Sequence, residues 1–184
     1  SMMVPPSIKA AHPDLANVTT FLDVGVGVGL LAVSAANVWP TTTIVGIDIW
    51  DPSLERARAN VDSAGLGDRI SIRKQALTEL SDSDAFDCVW VPSFFLAEAD
   101  LEKSLPAVLQ ALRPGGWAVV GIMHTPPDPL ASAIFGLRTI RGGGCVLSTD
   151  RAIELLDASG FADTHSVLSP PPSPLELVLG QRPA

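Results

Sequence analysis

Phe21-Leu22-Asp23-Val24-Gly25-Val26-Gly27-Val28-Gly29 is the stretch on which the reading of the chain turns. Phe21 to Val24 has the character of a short buried strand, and three glycines follow at alternate positions. Leu30-Leu31-Ala32-Val33-Ser34-Ala35-Ala36-Asn37-Val38 then reads as a helix packed on a sheet. Strand, glycine turn, helix opens a nucleotide-binding α/β unit. The glycines allow a tight turn and a close approach to a ligand that a Cβ would exclude. Asp23, two positions before the first glycine, is unusual in a buried strand. Its burial is costly unless the carboxyl is hydrogen-bonded or faces a charged ligand.

Two fingerprints compete for this stretch. Gly27-Val28-Gly29-Leu30-Leu31-Ala32 fits the dinucleotide pattern G-x-G-x-x-A, but it leaves Asp23 and Gly25 without a role. Read as D-x-G-x-G-x-G, residues 23–29 resemble motif I of the class I S-adenosylmethionine-dependent methyltransferases. In that family the glycine loop approaches the amino-acid half of the cofactor, and the acid before it helps to hold it. The resemblance therefore implies that Asp23, Gly25, Val26, Gly27 and Gly29 bind S-adenosylmethionine. A βα turn with no ligand is the plain alternative, at the entropic cost of three glycines.

The rest of the chain alternates strands and helices. Strands are expected at residues 20–25, 43–48, 69–73, 86–91 and 117–123, the second rich in β-branched residues. Helices are expected at 30–39, stopped by Pro40, and after Asp51 as N-cap with Pro52 in the first turn. Leu54, Ala57, Val61 and Ala64 form the apolar stripe of that second helix, which Gly65-Leu66-Gly67 closes. Further helices are expected at 101–112, 130–140 and 149–159, with a broken helix within 8–16. Arg113-Pro114-Gly115-Gly116 reads as the turn after the 101–112 helix, and Arg141-Gly142-Gly143-Gly144 as a flexible turn. Residues 161–168 and 175–180 pair as a closing hairpin across the 169–174 loop. This is an α/β protein with a doubly wound, mostly parallel seven-stranded sheet and an antiparallel closing hairpin. Its ligand belongs at the carboxyl edge, where strand order reverses between the first and fourth strands. A Rossmann-like methyltransferase fold, which the chain resembles, places the last strand antiparallel beside the fifth.

Asp48 ends the second strand about 20 residues beyond the first glycine, where an acid accepts both ribose hydroxyls. A helix-entry cap is its other possible role. Ile49 and Trp50 follow and are placed to flank an adenine. In the resembled family an acid after the third strand meets the adenine amino group. Here Gln75-Ala76 stands there; the Gln75 amide oxygen can accept that bond, or Gln75 is a plain loop residue. Phe86-Asp87 and Arg113-Pro114-Gly115-Gly116-Trp117 resemble later landmarks of the family. Val91-Pro92-Ser93-Phe94-Phe95 lies where the transferable methyl should point. Enzymes that methylate nucleic-acid amines carry Asn or Asp followed by Pro-Pro and an aromatic there, and this chain does not. The acceptor pocket is expected at Pro92, Phe94, Phe95, His124 and Phe135, with Val91 on the cofactor.

Methyl transfer from a sulphonium is an in-line displacement that positioning alone can accelerate greatly. An oxygen acceptor also needs a proton removed, by a histidine or a carboxylate. His124, after the fifth strand, is the candidate base, and an ordinary loop histidine is its other reading. Plant-type small-molecule O-methyltransferases place their histidine just after the fourth strand, where this chain has none. The 128–161 segment nevertheless resembles the bacterial and plant small-molecule group, whose insert shapes the acceptor pocket. Leu130, Ile134, Phe135 and Leu137 would form an apolar wall, or pack as an ordinary helix.

Composition narrows the partners. The 184 residues are 47% hydrophobic and 17% charged, with net charge −8 and no Lys/Arg cluster. That disfavours a nucleic-acid surface and an anionic membrane surface. No apolar run spans a bilayer, no signal peptide is visible, and Cys88 and Cys145 lack metal-ligand spacing. The expectation is a cytoplasmic enzyme with a small-molecule acceptor and no metal. Residues 1–19 are read as a lead-in, with Ser1-Met2 a cloning remnant, and 20–184 as one cofactor-binding domain. Related enzymes use an upstream helical segment as the pocket's far wall and dimer contact. It would precede Val4, so residues 1–184 are expected to bind cofactor but turn over poorly unaided. A nicotinamide-dependent oxidoreductase and a non-catalytic cofactor-binding or dimerisation module are the alternatives.

Overall fold

The computed structural model describes residues 3–168 and 175–184. The 169–174 loop and Ser1-Met2, both characterised from sequence above, lie outside the described residues. Strands β1 (Thr20–Val24), β2 (Thr43–Asp48), β3 (Ile70–Lys74), β4 (Phe86–Pro92) and β5 (Leu112–Met123) alternate with helices α2 (Leu30–Val38), α3 (Asp51–Ser63) and α4 (Glu98–Ala111). Helix α1 (Val4–Ala11) precedes them; α5 (Pro129–Arg141), α6 (Thr149–Ala158), β6 (Ala162–Leu168) and β7 (Leu175–Gln181) follow. The strands form one seven-stranded sheet in the order β3-β2-β1-β4-β5-β7-β6. β7 runs antiparallel to both β5 and β6, and the remaining pairs are parallel. The order reverses between β1 and β4, so the expected doubly wound architecture and its hairpin are present.

Two apolar layers hold the sheet. One face packs Leu22, Val24, Val89, Val91, Val120 and Val178 under α4 and α6. The other packs Phe21, Ile44, Cys88, Trp90 and Leu179 under α1, α2 and α3. The lead-in is part of this second layer, since Ile8, Leu15 and Val18 are buried in it. The expected broken helix is α1 followed by a 3₁₀ turn at Pro13–Asn17. Pro5 and Pro6 fall in the first turn of α1, where a missing N–H costs nothing.

Several boundaries move. The N-cap of α3 is Trp50, and Asp51 pairs instead with the Lys74 ammonium at 2.5 Å. Ala64 is the exposed C-cap of α3 and leaves its apolar stripe. α4 starts at Glu98, with Glu98 and Asp100 in its first turn favoured by the helix dipole. Arg113 to Gly116 is a bulge inside β5: Phe86 pairs with Leu112 and Cys88 with Trp117. A Cβ on Gly116 would lie 2.9 Å from the Arg113 carbonyl oxygen and 3.1 Å from that of Asp87, so the bulge needs glycine there. Asp87 pins three strand starts. It accepts from the Thr19 amide and hydroxyl, the Thr20 amide and the Arg113 guanidinium. Burial alone would raise its carboxyl; these donors, Thr19 foremost, hold it below the usual range.

Candidate functional site

A cavity of about 580 Å³ opens at the carboxyl edge of the sheet, above the β1–β4 reversal. That is the size of a cofactor or small-molecule site. β1 ends on Val24, and the turn after it presents Gly25 and Gly27 to the cavity at φ +65° and +55°. Only glycine takes these conformations without strain. Asp48 ends β2, and its carboxylate accepts from the Gly27 amide at 2.9 Å and the Trp50 amide at 3.0 Å. It thus shapes the glycine turn and the chain that follows it. Each oxygen keeps a further lone pair, so a ligand hydroxyl can still be accepted.

Ile49 and Trp50 line the cavity as an apolar flank and are 67% and 62% exposed. Gln75 and Ala76 line it from the end of β3. The Gln75 amide nitrogen donates to the Glu79 carbonyl at 3.0 Å, which leaves the amide oxygen for a donor on a ligand. Pro92 and Phe95 line the far side.

Asp23 sits behind the turn rather than in the cavity. It is buried, and its Oδ2 has no hydrogen-bond partner. Burial, reinforced by the Asp48 carboxylate and opposed by the Ala32 amide, pushes its carboxyl up to about 8. An orphaned buried acceptor beneath two cavity-lining glycines fits a ligand that brings a positive charge or a donor. A nucleoside with a charged amino-acid arm has both halves met here: acceptors at Asp48 and Gln75, and an acid near the glycine turn.

Other expected site residues are placed elsewhere. The Val26 side chain is buried in the second core layer, where Gly46 makes room for it. Gly29, at φ +80°, begins α2 and packs on Ala57 of α3. Val91 is wholly buried in the sheet core, because strand alternation turns it away from the cavity that Pro92 reaches. Phe94 packs on the second core layer and Phe135 is half-buried on α5; neither lines the cavity. His124 also lies off the cavity, its Nε2 3.9 Å from a Glu176 carboxylate oxygen of β7. β5 carries it past the pocket toward the closing hairpin, which sequence order alone does not show.

The cavity also takes in Ser53, Leu77, Thr78, Leu96, Ala97 and Asp100, which no sequence motif marks, and Gly142 and Gly143 of the expected flexible turn. Leu77 follows β3 and Leu96 follows β4, so strand-end position was the available signal for both. Among the described residues, no Lys, Arg or His lines the cavity.

Comparison with known proteins agrees with this geometry. Residues 21–116, just over half of the chain, match the family described as "Methyltransferase domain". The methyltransferase GfsG of Streptomyces halstedii is 32% identical over 139 residues, 74% of this chain and 48% of that protein. A demethylmenaquinone methyltransferase of Thermus thermophilus is 35% identical over 116 residues, 63% of this chain and 50% of that protein. The apo crystal structure of the S-adenosylmethionine-dependent methyltransferase SibL superposes with a TM-score of 0.80 at 25% identity, covering 98% of this chain and 55% of that one. The chain belongs to the methyltransferase domain family, in its class I S-adenosylmethionine-dependent form. S-adenosylmethionine is the cofactor of that class. The chain spans about half the length of the curated relatives it matches.

Proposed function

We propose that the chain transfers a methyl group from S-adenosylmethionine to a small, largely apolar acceptor, at oxygen. The observation that carries the cofactor half is the unpartnered Asp23 Oδ2 beneath the Gly25–Gly27 cradle. Bound there, the sulphonium supplies an electrophilic methyl group. The chain's own residues do the rest. Asp48 holds the glycine turn and accepts the ribose hydroxyls; Gln75 accepts from the adenine amino group; Ile49 and Trp50 cover the base. On the acceptor side Pro92, Phe95, Leu96 and Ala97 form an apolar wall, and the absence of lining cations disfavours an anionic acceptor. Asp100 is the exposed carboxylate on that side and is a second candidate proton acceptor beside His124, which lies off the cavity. One relative named above, the demethylmenaquinone methyltransferase, is named for a small, largely apolar acceptor, which supports that part of the reading.

Calorimetric titration with S-adenosylhomocysteine and with NADH tests the cofactor half. Binding of the first and not the second is expected. Asp48→Ala should weaken S-adenosylhomocysteine by roughly 1.5–3 kcal/mol, the value of a charged hydrogen-bond acceptor. Binding of NADH alone would overturn the reading. Transfer of a labelled methyl group to the hydroxyls of a panel of apolar phenols then tests the acceptor half, and transfer to a quinone ring carbon instead would overturn the oxygen assignment.

A further inference from the structure

Helix α5 lies at the surface of the protein. None of its residues is buried, and Leu130, Ile134, Leu137 and Ile140 are exposed along it. Its C-terminal end runs into a turn of defined shape. The Gly142 amide donates to the Arg138 carbonyl, that of Gly143 to Ile140, and that of Gly144 to Thr139, each at 3.0 Å. Gly143, at φ +86°, reverses the chain.

This turn is seated on the 3₁₀ turn Ser93–Phe95 that follows β4. A Cβ added to Gly144 would run into the Phe94 carbonyl oxygen, and would lie 2.5 Å from its carbon and 3.1 Å from the Phe95 nitrogen. The contact is backbone on backbone, so no flexible side chain can move aside. The next residue adds a weak bond, the Cys145 thiol donating to the Ser93 carbonyl at 3.6 Å. Gly142 and Gly143 of the one turn, and Phe95 of the other with the Leu96 and Ala97 that follow it, line the same cavity. One wall of the cavity therefore consists of two turns clamped together at Gly144.

We propose that Gly144 is a positioning residue that seats this wall, and that unseating it is the step by which a nucleoside ligand leaves the cavity. The proposal rests on the cofactor reading given above. Ligand release through displacement of a loop is a common limit on turnover. With the clamp closed, Gly142 and Gly143 are part of the cavity lining. With it open, α5 has no buried side chain to keep it in place.

The test uses S-adenosylhomocysteine and stopped-flow tryptophan fluorescence, for which the exposed, cavity-lining Trp50 is the reporter. Gly144→Ala should speed dissociation about tenfold, from the overpacking it forces, with little change in association. Gly136→Ala, on the same helix, meets only Val146 Cγ2 at 3.9 Å and should leave dissociation unchanged. Hydrogen exchange on the unaltered protein gives a reading that does not depend on either variant folding. The amides of residues 142–145 and 94–96 should exchange together, and more slowly when S-adenosylhomocysteine is bound. Unchanged dissociation in Gly144→Ala, an equal effect of Gly136→Ala, or independent exchange of the two turns would overturn the proposal. Failure of the unaltered protein to bind S-adenosylhomocysteine would instead overturn the cofactor reading beneath it.

Discussion

At the scale of single residues, Asp23 has the most chemistry stored in it. Its carboxyl, pushed up to about 8 by burial and by Asp48, is protonated at neutral pH, while in the unfolded chain it titrates near 3.8. Between those two values the folded state holds a proton that the unfolded state has lost. Stability therefore falls as pH rises through this window, by up to about 1.4 kcal/mol per pH unit. Asp23→Asn should abolish that slope, as measured by urea denaturation at pH 5, 6, 7 and 8. A cationic ligand beside the carboxyl favours its ionised form, so binding of S-adenosylmethionine near pH 7 should release a proton. Calorimetry in buffers of different ionisation enthalpy reads that release directly, and Asp23→Asn should remove it. A wild-type protein that binds without proton exchange would place the charge of the ligand away from Asp23.

At the scale of elements, the glycine turn and β2 are fitted to one another. The Val26 amide donates to the Ile47 carbonyl at 2.9 Å, and its side chain folds down over Gly46. A Cβ on Gly46 would stand 2.6 Å from Val26 Cγ2 and 3.1 Å from Ile72 Cδ1. β2 thus gives up one side chain so that Val26 can be buried and the backbone at Gly25 and Gly27 can face the cavity. Gly46→Val should cost about 1–3 kcal/mol by overpacking. It should also weaken S-adenosylhomocysteine, because displacing Val26 displaces the turn. Urea denaturation and calorimetry on the same variant separate the two effects. Lost stability with unchanged affinity would show that the turn keeps its shape without Val26.

At the scale of the whole molecule, the charge pattern bears on partners. The net charge is −8, and many of the cations are already engaged. Arg73 pairs with Asp82, Lys74 with Asp51, Arg113 with Asp87, Arg151 with Glu98 and Arg182 with Asp84. Nucleic-acid binding needs several free cations along one surface. A fluorescently labelled RNA hairpin should accordingly show no saturable anisotropy change at about 0.1 M salt, where screening is moderate. Saturable, salt-sensitive binding would point to a nucleic-acid acceptor in place of a small molecule. Among the described residues no helix is long and apolar enough to cross a membrane.

The order of strands and helices, the glycine turn, Asp48 and the closing hairpin were all legible in the chain alone. Each is a local signal: a period of two or of 3.6, a positive φ that glycine alone tolerates, an acid at a strand end. Which side chains reach the cavity was decided only in three dimensions. Val91 and Pro92 are neighbours in sequence, yet alternation buries one in the core and shows the other to the cavity. β5 carries His124 past the pocket to Glu176 of β7, and Asp100 is brought in by the first turn of α4. Gly142 and Gly143 line the same cavity as Phe95, nearly fifty residues away in the chain, and Gly144 lets the two backbones touch. Local rules state what conformation a residue can take; contact between distant segments depends on how the layers close around the sheet.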